Sequence, residues 1–222
     1  MVVDYNKIAK WFSNSRKKMK WEEIDYFISS YLNNFDWKSF LDIWCWSWRL
    51  LEQFSSSFDI DKIKYLWLDL SSEMLKNAKE NFQNKDFENI NMIDIDKLEW
   101  RKFDYIFFIA SFHHLDSIND RLLVLKKVKK LLNTNWLIFM TNWALDSWMN
   151  KEKYSKDIIE WSENEYWSLD YKIYFWEYPR YYHWFSLDEL KYLFENNWFK
   201  IIENRLFDTN KNFISIIQKK WD

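Results

Sequence analysis

The chemistry available to this chain is concentrated in four places. Residues 41–49 read Leu-Asp-Ile-Trp-Cys-Trp-Ser-Trp-Arg: an apolar run ending near an acid, then a turn with tryptophan at every second position. A strand, a turn and a helix in that order make a cradle for a polar or anionic cofactor tail, provided the turn takes positive φ and lets the ligand approach the main chain. Glycine meets both conditions at no steric cost. The chain has 17 tryptophans and no glycine, where average usage predicts roughly 16 glycines. With glycine at Trp44, Trp46 and Trp48 the segment becomes L-D-I-G-C-G-S-G-R. The reading adopted is that most tryptophans stand for glycine, through a UGA codon that the source organism decodes as glycine. The second place is a set of acids in register with this turn: Asp42 in the first strand, Asp69 at the end of a second, Asp94 at the end of a third. One acid at a strand end is commonly a turn or helix cap. Three in register fit a nucleoside cofactor, with Asp69 accepting from ribose hydroxyls and Asp94 beside an adenine edge. The third place is His113-His114, after a fourth strand, which either lines an acceptor pocket or caps the next helix. The fourth is Arg180-Tyr181-Tyr182-His183, which either holds substrate or packs a lid.

The elements that must position these groups alternate. Residues 4–35 carry a helical apolar stripe at Ile8, Phe12, Ile24, Phe27, Ile28, Tyr31 and Leu32. Strands are predicted at Ser39–Ile43, Tyr65–Leu70, Asn91–Ile95, Tyr105–Ala110 and Trp136–Asn142. Helices are predicted at Arg49–Phe54, at Ser71–Phe82 with Ser71 or Ser72 as N-cap, and at Arg121–Leu132. A helix at Leu187–Asn196 precedes two closing strands near Phe199–Phe207 and Phe213–Gln218. The pattern predicts an α/β fold, a doubly wound, Rossmann-like parallel sheet. One domain, 1–222, divides into N-terminal helices (1–36), a cofactor-binding core (37–145), an irregular lid or insertion (146–185), and a closing helix and strands (186–222).

Composition removes other classes. A net charge of −2 gives no global attraction to nucleic acid, so RNA contact needs a local patch. Arg16 with Lys17, Lys18 and Lys20 is one such patch. Lys126, Lys127, Lys129 and Lys130 are another, better read as a solvated helix face. A single cysteine excludes an internal disulfide and a cysteine-based zinc site, and no metal is expected. No segment reads as a membrane span or a signal peptide, so the expected location is the cytoplasm, with no membrane or DNA partner.

Residues 41–49, with Trp67-Leu68-Asp69-Leu70-Ser71-Ser72-Glu73-Met74-Leu75, resemble class I S-adenosylmethionine-dependent methyltransferases over residues 38 to 142. That resemblance implies a seven-stranded sheet whose last strand is antiparallel. It implies that the turn at 44–48 holds the methionine moiety of S-adenosyl-L-methionine, Asp69 the ribose, Leu70 an adenine face, and Asp94 and Ile95 the adenine rim. The implied cofactor set is Asp42, Trp44, Cys45, Trp46, Trp48, Asp69, Leu70, Asp94, Ile95 and Ala110.

A narrower resemblance is to the tRNA wobble-uridine carboxymethyl methyltransferases. It rests on Tyr5-Asn6-Lys7-Ile8-Ala9, Phe12-Ser13, Arg16 and Trp21; on Phe112-His113-His114-Leu115 with Asp120-Arg121; on Asn142-Trp143-Ala144-Leu145; and on Arg180 to His183 with Phe185 and Glu189-Leu190. The chain departs from that family by one extra residue between Arg16 and Trp21, and by a short 146–179 segment of its own. The resemblance implies esterification of a carboxymethyl group on a tRNA wobble uridine, with tRNA as partner and a small activator subunit as a possible second one. It also makes Trp21 and Trp143 genuine tryptophans, and Trp37, Trp44, Trp46, Trp48, Trp67, Trp136 and Trp198 glycine positions. A carboxylate is ionised at neutral pH and needs no general base, only groups that orient it. His113, His114 and Arg180 are the candidate catalytic residues; Arg16, Tyr181, Tyr182 and His183 are the candidate substrate holders. The alternatives are a small-molecule methyltransferase acting on a quinone precursor or metabolite and, if the tryptophans are real, a scaffold that binds no cofactor.

Overall fold

The computed structural model describes residues 6, 9, 20–32, 35–44, 49–159, 163–175 and 177–220. In chain order its elements are α1 (Glu22–Tyr31), β1 (Ser39–Ile43), α2 (Arg49–Ser55), β2 (Lys64–Asp69), α3 (Ser72–Asn81), β3 (Asp86–Asn89), β4 (Phe103–Ile109), α4 (Ile118–Leu131), β5 (Leu132–Trp143), β6 (Leu169–Phe175), β7 (Tyr178–Trp184), α5 (Leu187–Asn196), β8 (Phe199–Leu206) and β9 (Asn212–Lys219).

Seven strands form one sheet in the order β3-β2-β1-β4-β5-β9-β8. β1 to β5 run parallel, and β9 is antiparallel to both its neighbours. The strands alternate apolar residues between two faces, as a sheet covered on both sides requires. Leu41, Ile43, Leu66, Leu68, Ile106, Phe108, Ile138 and Met140 pack with α4 and α5. Phe40, Tyr65, Trp67, Tyr105, Phe107 and Phe139 pack with α1, α2 and α3 on the other face. Ser71 is the N-cap of α3, its hydroxyl accepting from the Met74 amide at 3.2 Å.

Two expectations are corrected. The third strand is Asp86–Asn89, not Asn91–Ile95. It is an edge strand whose outward acids pair with Arg101 (Glu88 at 3.2 Å, Asp86 at 3.9 Å), so it lacks an apolar run. The apolar residues after it form a 3₁₀ segment, Met92–Leu98, whose buried Met92, Ile95 and Leu98 recur every three residues. Residues 146–185 are not irregular throughout: β6 and β7 pair as an antiparallel hairpin with its own small core of Leu145, Tyr171 and Tyr182. The helix expected over 4–35 is described as α1 and at isolated positions before it.

Candidate functional site

The chain leaves β1 toward α2 on one face and β4 toward α4 on the other. The neighbouring β1 and β4 therefore flank the topological switch point, where ligands of open α/β sheets bind. Trp44 leaves β1 with φ 61°, and its amide donates to the Leu68 carbonyl at 2.9 Å. The backbone thus takes the left-handed turn that a glycine loop needs. The indole does not suit a cofactor: it spans the switch point from β1 to the segment after β4, its ring centroid 5.7 Å from that of His114. Cys45, Trp46 and Trp48 lie outside the described residues, as does Arg16.

Asp42 lies beneath this turn, buried on the α2–α3 face. Its Oδ2 accepts from the Tyr65 hydroxyl at 2.9 Å and the Trp67 indole N–H at 2.8 Å, while Oδ1 has no hydrogen-bond partner among the described residues. Burial pushes its pKa up to about 7, against the pull of these two hydrogen bonds and with a smaller push from Asp69. Asp69 ends β2, its Oδ1 accepting from the Ser71 amide at 2.8 Å. Asn89 donates to the carbonyls of Asp69 (2.8 Å) and Leu70 (2.9 Å), fixing the segment where a ribose and an adenine face would meet it. Asp94 stands in the 3₁₀ segment with a half-exposed carboxylate 3.3 Å from Lys97, beside the buried Ile95. The carboxylates and backbone path fit S-adenosylmethionine; the Trp44 side chain does not.

Ala110 leaves β4 at φ 50°, its amide held by the Thr141 carbonyl (3.1 Å) and hydroxyl (2.9 Å). The next turn places His113 and His114 against β7. His113 is buried; its Nδ1 accepts from the Trp143 amide at 3.3 Å, which puts its proton on Nε2. His114 donates from Nδ1 to the Tyr181 carbonyl at 2.9 Å, which leaves Nε2 to accept from Arg180 Nη2 at 3.4 Å. Burial holds both pKa values well below the ordinary histidine value. Arg180 and His183 add to this for His113, and His113 and Arg180 for His114. Arg180 is 2% exposed, and its guanidinium lies 4.8 Å over the Tyr182 ring, which stacks on Trp143 at 5.0 Å. The structure therefore brings His113, His114, Arg180 and Tyr182 together around a cation.

Tyr181 and His183 point the other way. Burial, with Asp170 assisting, pushes the Tyr181 phenol far up; its hydroxyl donates to Asp170 Oδ1 at 2.6 Å. His183 sits between Asp170 and Glu189, away from the guanidinium. Ser111 and Asn142 are not among the candidate site residues that the sequence gives. Ser111 Oγ, His113 Nε2 and both amide atoms of Asn142 are buried with no hydrogen-bond partner among the described residues. Asn142 follows Thr141, which holds Ala110, and precedes Trp143, which holds His113, so all of them line the carboxyl ends of β4 and β5. Nothing short of this packing marks a serine and an asparagine as special. Among the described residues no group of three or more His, Cys, Asp or Glu is placed for a metal, and no helix is long and apolar enough to cross a membrane.

Residues 41–135 match the methyltransferase domain family. No curated protein matches the chain by sequence. The fold is similar to that of an S-adenosylmethionine-dependent methyltransferase from Clostridium acetobutylicum (TM-score 0.68, 14% identity, covering 98% of this chain and 99% of that one). It is similar to a SAM-dependent methyltransferase from Methanosarcina mazei (TM-score 0.67, 20% identity, 88% and 98% covered). A third is the 1,6-didemethyltoxoflavin-N1-methyltransferase of Burkholderia thailandensis, solved with its acceptor and S-adenosylhomocysteine (TM-score 0.66, 13% identity, 97% and 86% covered). The domain match over residues 41–135 and the sheet topology agree on the fold of the class I S-adenosylmethionine-dependent methyltransferases. S-adenosylmethionine is the methyl donor of that class.

Proposed function

We propose that this chain methylates a carboxylate, the carboxymethyl group of a tRNA wobble uridine, and that its native form carries glycine at most tryptophan positions. The observation that carries the first part is the Arg180 guanidinium, buried against a neutral His114 at the carboxyl edge of β4. Asp69 and the backbone turn at Trp44 would hold S-adenosylmethionine, which when bound would supply the methyl group and the sulfonium that activates it. The carboxylate arrives ionised, so no residue has to remove a proton. Arg180 orients the acceptor by charge-assisted hydrogen bonds. His113 and His114, uncharged, shape the pocket without adding competing cations. The Tyr182–Trp143 stack walls the site from water, which strengthens these interactions.

Backbone geometry supports the second part. Trp37, Trp44, Trp167 and Trp198 all have φ between 60° and 69°, where a bulky residue is strained and glycine is not. Three of these four are positions where the class carries glycine; Trp167 joins them on geometry. Trp67 and Trp136 show no positive φ, and Trp67 is fully packed. Trp21 and Trp143 are read as genuine; Trp143 earns its place through the Tyr182 stack.

The deciding experiment pairs two proteins, one as written and one with glycine at 37, 44, 46, 48, 167 and 198. Each is titrated with S-adenosylmethionine by calorimetry and assayed on bulk tRNA carrying unesterified carboxymethyluridine. The glycine form should bind and methylate; the written form should do neither. Native peptide sequencing that finds tryptophan at 44, 46 and 48 would sink the decoding reading. A second reading, a small-molecule acceptor, is favoured by the toxoflavin enzyme among the similar folds. It gains if the glycine form binds cofactor but leaves tRNA unmodified.

A further inference from the structure

Alternation along β7 divides the hairpin's residues between two faces. Arg180 and Tyr182 meet His113, His114 and Trp143. Tyr181 and His183 turn to the opposite face, toward α4 and α5. There His183 Nδ1 is 2.6 Å from Asp170 Oδ1, on its cross-strand partner, and Nε2 is 2.7 Å from Glu189 Oε2. Arg121 of α4 donates to Glu189 Oε1 at 3.1 Å and to the Tyr181 hydroxyl at 3.1 Å. Its Nε and Nη2 also hold the Leu115 carbonyl, one residue beyond His114, at 3.1 and 3.0 Å. Arg121, His183 and Glu189 are each no more than 3% exposed. Burial works to raise the Glu189 pKa, but His183, Ser168 and Arg121 together hold it below the usual value.

A buried ionic cluster of this kind is an inefficient source of stability, because the cost of desolvating its charges offsets their attraction, and apolar replacements often match it. What it fixes is position. A slip of one residue in the β6–β7 register would turn Arg180 and Tyr182 away from the histidines and send Tyr181 and His183 in their place. The cluster also holds Tyr181, whose main-chain carbonyl sets the His114 tautomer and so aims the His114 lone pair at Arg180.

We infer that Arg121, Asp170, His183 and Glu189 are positioning residues: they lock the hairpin so that Arg180 and His114 present one fixed anion-binding geometry to the acceptor. This rests on the reading that Arg180 faces the acceptor, and it takes His183 from substrate holder to part of the lock. It commits the opposite face of the hairpin to no ligand contact.

The test uses the full chain in its glycine form, with Arg121→Met and Glu189→Leu together, which replaces charge by similar volume, and Glu189→Gln alone as the milder change. The chain has three histidines, so their imidazole nitrogens can be assigned and followed by NMR without any acceptor. In the parent, His114 should show a proton on Nδ1 only. In the double variant that tautomer should become mixed while melting temperature and S-adenosylhomocysteine affinity stay near the parent's. With carboxymethyluridine tRNA, KM should rise severalfold with little change in kcat. An unchanged His114 signature, or a parallel fall in melting temperature and cofactor affinity, overturns the inference. If the double variant does not fold, Glu189→Gln decides by the same His114 signature. A mixed tautomer in a variant whose parent leaves tRNA unmodified would keep the positioning role and reject the acceptor.

Discussion

Arg180 Nη2 lies 3.4 Å from Nε2 of His114, a cation donating to a neutral imidazole. The contact is possible because His114 keeps its proton on Nδ1, where the Tyr181 carbonyl accepts it at 2.9 Å. A protonated His114 would turn a donor toward the guanidinium and repel it. Burial, then His113 and Arg180, keep that from happening by holding the His114 pKa well below its ordinary value. The pair sets a buried guanidinium beside a neutral imidazole at the carboxyl edge of β4.

Arg180 is therefore the residue whose loss should separate acceptor chemistry from cofactor binding. In the glycine form of the chain, Arg180→Ala should lower the rate of carboxylate methylation by roughly a hundredfold, the usual cost of removing one preorganised charge partner. S-adenosylhomocysteine affinity should not move. Arg180→Lys should recover little, since a point charge does not reproduce the planar fork. Initial rates with labelled cofactor, beside calorimetry, check both; equal losses in rate and cofactor affinity would refute the assignment.

His113 makes stability depend on pH. Its folded pKa is depressed by burial, with Arg180 and His183 adding, while the unfolded chain titrates near 6.5. Below pH 6.5 the unfolded state binds a proton that the folded state refuses, so stability falls as pH falls, by up to about 1.4 kcal/mol per pH unit. Denaturation in urea at pH 7 and pH 5 should show this loss in the parent and a smaller one in His113→Asn. Equal losses in both proteins would assign the acid sensitivity to other groups.

Asp42 acts in the opposite sense. Its folded pKa is pushed to about 7 while the unfolded value is near 3.9, so it disfavours folding increasingly as pH rises between those values. Asp42→Asn keeps an oxygen for Tyr65 and Trp67 and removes the buried charge. At pH 8 it should be more stable than the parent by as much as roughly 4 kcal/mol, with no difference at pH 4. In the glycine form it should also bind S-adenosylmethionine more weakly. A denaturation series across pH tests the first statement and calorimetry the second.

How much of this was legible depends on range. β1 appears at its predicted bounds, because a short, mostly apolar run between turn signals leaves few alternatives. The closing strands follow from the apolar pattern, and the antiparallel last strand from the resemblance. β3 was misplaced because an edge strand held by Asp86, Glu88 and Arg101 carries no apolar signature. Arg180, Tyr181, Tyr182 and His183 were found as one run, yet alternation sends them to two faces with different partners. Arg121, Asp170 and Glu189 come from three elements, and no local pattern announces that they converge on His183. The left-handed turn at Trp167 lay in the same blind spot, since only backbone geometry exposes it.

That geometry supplies a test needing neither cofactor nor tRNA. Trp37, Trp167 and Trp198 are 68%, 73% and 61% exposed, so their indoles contribute little burial while their backbones sit at φ 69°, 61° and 60°. A left-handed conformation costs a non-glycine residue about 1–2 kcal/mol, and glycine returns about 0.5–1 kcal/mol of that through a freer unfolded chain. Each of W37G, W167G and W198G should thus raise stability by about 0.5–1 kcal/mol, and the three should add, because the sites are distant. Trp100 is the control: it is 71% exposed without positive φ, and Arg101 lies 4.4 Å over its ring. Trp100→Gly should lower stability by about 0.5–1 kcal/mol. Urea midpoints at constant m-value read all four; a gain at Trp100 equal to that at Trp198 would show that glycine is tolerated everywhere on this surface rather than demanded at these turns.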